Sequence, residues 1–155
     1  MMKEHSAGGV VIKDEKVLLL RKYYGDWVLP KGKIEKGETT SITAKREVEE
    51  ESGVKAEPVR KIGYARYYYY NQNNQKVSKR VDYYLMSYKA GDLKPQNEEG
   101  FALAEFIDFD QALINLKHDS EKNMVKNAVK QYKKIREKDD IFKWYKQGAF
   151  PAKNF

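Results

Sequence analysis

The spacing of apolar and polar positions divides the chain into short segments. Ala7 to Ile12 is small and β-branched, which predicts a strand. Val17 to Leu20 is an apolar run that predicts a second strand, paired with the first across a tight turn at Lys13-Asp14-Glu15-Lys16. Gly25-Asp26 interrupts the chain before Trp27-Val28-Leu29. Pro30 to Gly37, with one proline and two glycines, predicts a loop. Thr39 to Ser52 has helical character, with Thr39 or Thr40 as the N-cap and Gly53 as the residue that leaves the helix. Strands are expected at Val59 to Ala65, Arg66 to Tyr70 and Val81 to Tyr88, with Asn71-Gln72-Asn73-Asn74 as a polar turn, and a further strand at Phe101 to Phe109. Met124, Ala128, Val129, Tyr132 and Ile135 keep helical spacing, which predicts a second helix from about Ser120 to Arg136. Strands interrupted by two helices, with both sheet faces to cover, indicate a layered α/β or α+β domain.

The character of the chain changes after residue 137. Residues 1–137 read as one domain. Residues 138–155, where Ile141, Phe142, Trp144, Tyr145, Phe150 and Phe155 are mixed with lysines, read as an aromatic and basic extension that packs back or mediates dimerisation. At 155 residues the chain is long enough to bury a core without staples. It has no cysteine, which excludes disulfides, thiolate metal sites and a thiol nucleophile. No run approaches the ~18 apolar residues of a membrane span. A soluble cytoplasmic protein, monomeric or homodimeric, is the expectation. The net charge of +7 favours anionic partners such as nucleotides, with RNA second.

Chemistry concentrates between Gly32 and Val54. On a helix advancing about 100° per residue, Glu47, Glu50 and Glu51 share one face at i, i+3 and i+4. Three carboxylates so placed repel one another, and a hard divalent cation such as Mg²⁺ or Mn²⁺ would relieve that strain. Arg46 precedes Glu50 by one turn and can hold it by a charge-assisted hydrogen bond. Glu38 lies at the helix start, where the macrodipole favours its charge.

The full spacing is Gly32, five residues, Glu38, seven residues, then Arg46-Glu47-Val48-Glu49-Glu50-Glu51-Ser52-Gly53-Val54. It resembles the signature of the Nudix hydrolase family at every defined position. Ser6 to Val11 and Trp27 to Gly32 are similar to the family's opening strands, so a looser likeness covers about residues 4–136. The resemblance implies an α/β/α sandwich with a mixed sheet, and a pyrophosphohydrolase that uses Mg²⁺ or Mn²⁺. Glu47, Glu50 and Glu51 would be metal ligands, joined by the backbone carbonyl of Lys31 or Gly32. Arg46 and Glu38 would orient them. The general base would be one of these glutamates, or Glu98 or Glu99 from the loop before Phe101.

The signature leaves the substrate open. Tyr70, 17 residues after Gly53, and Lys31 after Pro30 resemble the diadenosine polyphosphate hydrolase branch. Tyr68 and Tyr70 would then stack on adenine, and Lys31, Lys33, Lys79 and Arg80 would contact phosphates. The alternatives are a pyrophosphohydrolase of nucleoside triphosphates or of RNA 5′ ends, and a Nudix-shaped module that senses nucleotides without cleaving them.

Overall fold

The computed structural model describes the backbone of residues 1–147 and the side chains of residues 1–138. The expectations for Phe150 and Phe155, and for the aromatic side chains from Ile141 to Tyr145, lie outside what is described. Seven strands form one mixed sheet: β1 (Met2–Lys13), β2 (Lys16–Lys22), β3 (Trp27–Val28), β4 (Lys31–Lys33), β5 (Lys55–Tyr70), β6 (Lys76–Ala90) and β7 (Phe101–Asp108). The helices are α1 (Thr40–Ser52), α2 (Phe109–Asn115) and α3 (Asp119–Gln147).

Asp14 and Glu15 both take left-handed backbone angles, so the β1–β2 connection is a two-residue hairpin of the kind whose twist suits the flanking strands. The centre of the sheet runs β3-β2-β1-β6-β5, with β4 also paired to β1 and β7 to β2. β1 and β6 are parallel over eleven residue pairs from Met2↔Val77 to Ile12↔Ser87, and the other pairings are antiparallel.

Side chains alternate across this sheet. One face carries Val10, Leu19, Val81, Tyr83 and Leu85 and packs on Val125 and Ala128 of α3 and Ala112 of α2. The other carries Ala7, Val11, Leu18 and Met86 and packs on Ala44 and Val48 of α1. The result is the helix–sheet–helix sandwich the sequence implies.

Three expectations need correction. Pro30 to Gly37 is not all loop, because Lys31-Gly32-Lys33 pairs with Ser6, Ala7 and Gly8. Val59–Ala65 and Arg66–Tyr70 are parts of one long strand, which passes through register shifts at Pro58/Arg60 and Lys61/Gly63 instead of ending. The second helix does not stop at Arg136, and a short helix, α2, precedes it.

Candidate active site

α1 begins with a side-chain cap, Thr39 Oγ accepting from the Ile42 N–H at 3.2 Å, and ends at Gly53 with φ 82°. Between these ends the helix turns Glu47 toward Gly32 and Glu51 toward the Lys31 N–H of β4. Arg46 is the hub of what lies there. Its Nε and Nη2 grip both oxygens of Glu38 at 2.7 and 2.9 Å, its Nη1 reaches Glu47 Oε1 at 2.8 Å and Glu50 Oε2 at 3.1 Å, and its Nη2 also reaches the Lys33 carbonyl at 3.1 Å. The fork geometry that makes arginine a bidentate carboxylate ligand is used on Glu38. Glu38 Oε1 further accepts from the Glu35 N–H and the Thr43 hydroxyl, both at 2.9 Å. The Arg46 hydrogen bonds, and then that backbone N–H, lower the Glu38 carboxyl to about 2.

Glu47 and Glu51 face inward. The Glu47 carboxylate lies over Gly32 so closely that a Cβ there would overlap it. Burial raises the Glu47 carboxyl despite its bond to Arg46. Glu51 is buried, and its Oε1 accepts from the Lys31 N–H at 2.9 Å. Burial pushes its carboxyl up to about 8, with only that backbone bond and distant charges opposing the shift.

Among the described residues, no three carboxylate or imidazole groups converge on one point. Arg46 neutralises Glu47 and Glu50 instead. The donor set nevertheless fits a hard divalent cation. Glu47, Glu50, Glu51 and the Gly32 carbonyl are all oxygen donors beside β4, and among the described residues no cationic side chain forms an ion pair with buried Glu51.

On the α3 side of the sheet, next to β4, a cavity of about 310 Å³ opens between the sheet and the start of α3. Tyr67, Ala65 and Tyr83 supply its sheet wall, Val28, Tyr24 and Lys22 one rim, and His118, Ser120 and Glu121 the other. Glu121 is buried, its Oε2 accepts from the Leu29 N–H at 2.6 Å, and burial raises its carboxyl. Lys31 also lines the cavity. Lys79 lies one strand from Tyr67, opposite it in register, and burial followed by the charge of Lys31 lowers its ammonium to about 8. β4 therefore touches both features: the Lys31 backbone and Gly32 meet α1, while the Lys31 side chain meets the cavity.

The structure brings Arg46, Glu47, Glu50, Glu51 and the β4 backbone together, and brings Lys31 and Lys79 to the cavity side. Lys33 is nearby but ion-paired to Glu4 at 2.7 Å. Tyr68, Tyr70 and Arg80 are not brought to the cavity. They alternate with Tyr67 and Lys79 along β5 and β6 and stand on the α1 side of the sheet, with Tyr68 and Tyr70 exposed. Glu98 and Glu99 stand exposed on a 3-10 turn (Asn97–Glu99) whose base is tied to the end of α1 by the Gln96 N–H to the Glu51 carbonyl, 3.0 Å. Sequence reasoning passed over Tyr67, Tyr24, His118 and Glu121. For Tyr67 a signal existed: it has the same strand parity as the small apolar residue Ala65.

An α+β sandwich with a carboxylate-bearing helix against a lysine–glycine strand defines a domain that sets oxygen donors and cationic side chains on either side of one short strand. Residues 2–128 match the model of the NUDIX domain, and the chain belongs to that family, whose hydrolases use divalent metal ions. It is 31% identical over 116 residues to an 8-oxo-(d)GTP phosphatase of Mycolicibacterium smegmatis (75% of this chain, 34% of that protein). It is 37% identical over 107 residues to the protein called MutT4 of Mycobacterium tuberculosis (62% of this chain, 43% of that protein). The chain thus spans less than half the length of these two relatives. A solved MutT protein from Bacillus halodurans superposes with a TM-score of 0.67 at 26% identity, over 79% of this chain and 80% of that one.

Proposed function

We propose that the chain is a Mg²⁺-dependent pyrophosphohydrolase acting on nucleoside triphosphates. The observation that carries this is the shared strand β4. A cavity of about 310 Å³, at the small end of ligand pockets and of a size for one nucleobase, has Lys31 in its lining on the α3 side, while the same short strand meets Glu51 through the Lys31 N–H and Glu47 over Gly32 on the α1 side. A base lying against the Tyr67 ring would send its phosphates past Lys31 and Lys79 toward Glu47, Glu50 and Glu51. Among the described residues, Tyr68 and Tyr70, the pair that the tyrosine spacing offers to adenine, stand on the face opposite the cavity, which favours one-base substrates over diadenosine polyphosphates. The 8-oxo-(d)GTP phosphatase relative makes oxidised purine triphosphates the first candidates within the class.

Glu47, Glu50, Glu51 and the Gly32 carbonyl would hold the cation, which when bound lowers the pKa of water and neutralises phosphate charge. Lys31 and Lys79 bind the phosphates and set the scissile bond in line. A carboxylate of the α1 set accepts the proton as a water oxygen bonds to phosphorus and the bridging P–O bond breaks. Arg46 keeps the glutamates in position through Glu38. The products are a nucleoside monophosphate and pyrophosphate, and positioning with electrostatics supplies most of the acceleration.

The test is a substrate panel with and without Mg²⁺: ordinary and 8-oxo purine triphosphates, diadenosine tetraphosphate, ADP-ribose and triphosphorylated RNA. The expected result is Mg²⁺-dependent release of pyrophosphate with the highest kcat/KM on a nucleoside triphosphate. A higher kcat/KM on diadenosine tetraphosphate would reject the one-base reading, and no cleavage of any substrate would reject the enzymatic one.

A further inference from the structure

α1 covers only part of the sheet face on which it lies. It meets Tyr84 at its first turn, where the Thr40 hydroxyl and the Tyr84 phenol are 2.5 Å apart. Past that row β5 and β6 run on to the Asn71–Asn74 turn. Their α1-side face presents Tyr64, Arg66, Tyr68 and Tyr70 from β5, opposite Asp82, Arg80, Ser78 and Lys76 of β6.

The three tyrosines are 53%, 55% and 65% exposed. Cations are threaded between the rings: the Arg80 guanidinium lies 4.1 Å from the Tyr64 ring centre, and the Lys76 ammonium 4.8 Å from that of Tyr68. Arg66 faces Arg80 directly across the pair, a like-charge placement that destabilises a sheet when nothing neutralises it. The single acid of this stretch, Asp82, is already engaged by His5, Lys61 and Arg80. The surface therefore offers flat rings at alternate positions, and beside them more cations, Arg66, Lys76 and Arg80, than its one shared acid balances. An aliphatic partner would find no aliphatic side chain among these positions. A polyanion with a ring on every unit would find a complement for both of its parts, because bases stack on aromatic faces and phosphates pair with arginine and lysine.

We propose that this uncovered face of the β5–β6 hairpin binds single-stranded nucleic acid, as a site separate from the cavity on the α3 side of the sheet. The inference stands on this face alone and does not depend on which nucleotide the cavity accepts.

The full-length chain is titrated, in chelator and without Mg²⁺, into fluorescein-labelled single strands of about twelve nucleotides, one RNA and one DNA, and into a duplex of the same length; anisotropy is read from about 50 to about 200 mM salt. Binding of single strands in preference to duplex is expected, weakening as salt rises. Comparison of the RNA and DNA arms tells which polymer is preferred. Tyr64→Ala should weaken binding roughly tenfold through lost stacking. Arg66→Ala with Lys76→Ala should reduce the slope of log affinity against log salt by about 1.4, near 0.7 for each cation removed. All three side chains lie outside the proposed active site, so nucleotide hydrolysis and the circular dichroism spectrum should be unchanged. A saturating nucleoside triphosphate should leave the labelled strand bound. No binding at low salt, equal binding of duplex, indifference to these substitutions, or displacement by the triphosphate would each overturn the proposal.

Discussion

A methyl group added at Gly32 would fall inside the carboxylate of Glu47. What must yield is the far end of a flexible side chain, not backbone, so the strand can keep its pairing with Ala7 while Glu47 swings away. Gly32→Ala is therefore expected to leave the thermal midpoint within about 3 °C of the parent while lowering kcat at least ~10-fold through misplacement of one carboxylate; a kcat near the parent's would detach Glu47 from the chemistry. Tyr67 makes the complementary prediction. Tyr67→Ala removes a stacking wall but touches nothing on α1, so KM should rise about tenfold with kcat little changed, and an unaltered KM would remove the base from that cavity. At this scale the sequence revealed Arg46, Glu47, Glu50 and Glu51 because their spacing is local to one helix. It did not reveal Tyr67 over Tyr68 and Tyr70, since which of four successive tyrosines faces the cavity depends on strand parity. Glu121 was also hidden, because it reaches the Leu29 N–H across 92 residues of sequence.

Elements were legible where their ends carry local chemistry. The β1–β2 hairpin and α1 have a turn and two caps written into consecutive residues, and both formed where expected. β4 was hidden because Lys-Gly-Lys has no apolar alternation and exists only through its pairing with β1. β5 was expected to begin at Val59, after Pro58, and to divide between Ala65 and Arg66, but its pairing with β6 is unbroken there and the register shifts lie earlier, at Pro58/Arg60 and Lys61/Gly63. α3 overran its expected end because Glu137-Lys138-Asp139-Asp140 dilutes the apolar pattern without offering a proline or glycine to stop the helix. The cap on α1 gives a prediction of its own. Removing the Thr39 hydroxyl leaves the Ile42 N–H without its side-chain partner, so Thr39→Ala should cost about 1 kcal/mol in urea unfolding. Because Glu38 and Arg46 hold the start of the motif independently of that hydroxyl, kcat should fall less than in Gly32→Ala. A kcat loss larger than that of Gly32→Ala would mean the cap, and not the arginine hub, sets the carboxylates.

For the molecule as a whole, the three adjacent strands β1, β6 and β5 are joined by one side chain as well as by their ladders. Asp82 of β6 is almost fully buried and bonds His5 of β1, Lys61 of β5 at 2.7 Å and Arg80 of its own strand at 3.1 Å. Burial alone would raise its carboxyl. The hydrogen bonds from Arg80, His5 and Lys61 outweigh that and bring it down to about 2, from 3.8 when unperturbed. A carboxyl lowered on folding stabilises the folded state fully above its unfolded pKa and loses that contribution as pH falls through the folded one. The Asp82 contribution is therefore complete above about pH 4 and fades between about pH 4 and pH 2. Asp82→Asn lacks it at every pH and leaves Lys61 and Arg80 facing a neutral amide. The thermal midpoint of the parent should exceed that of the variant by a constant margin from pH 7 to about pH 4, and the two curves should then converge toward pH 2. Because other carboxylates titrate in both proteins, the difference between the curves isolates this residue. A margin that persists unchanged to pH 2 would show that Asp82 acts by packing alone and that its charge does not tie the strands together.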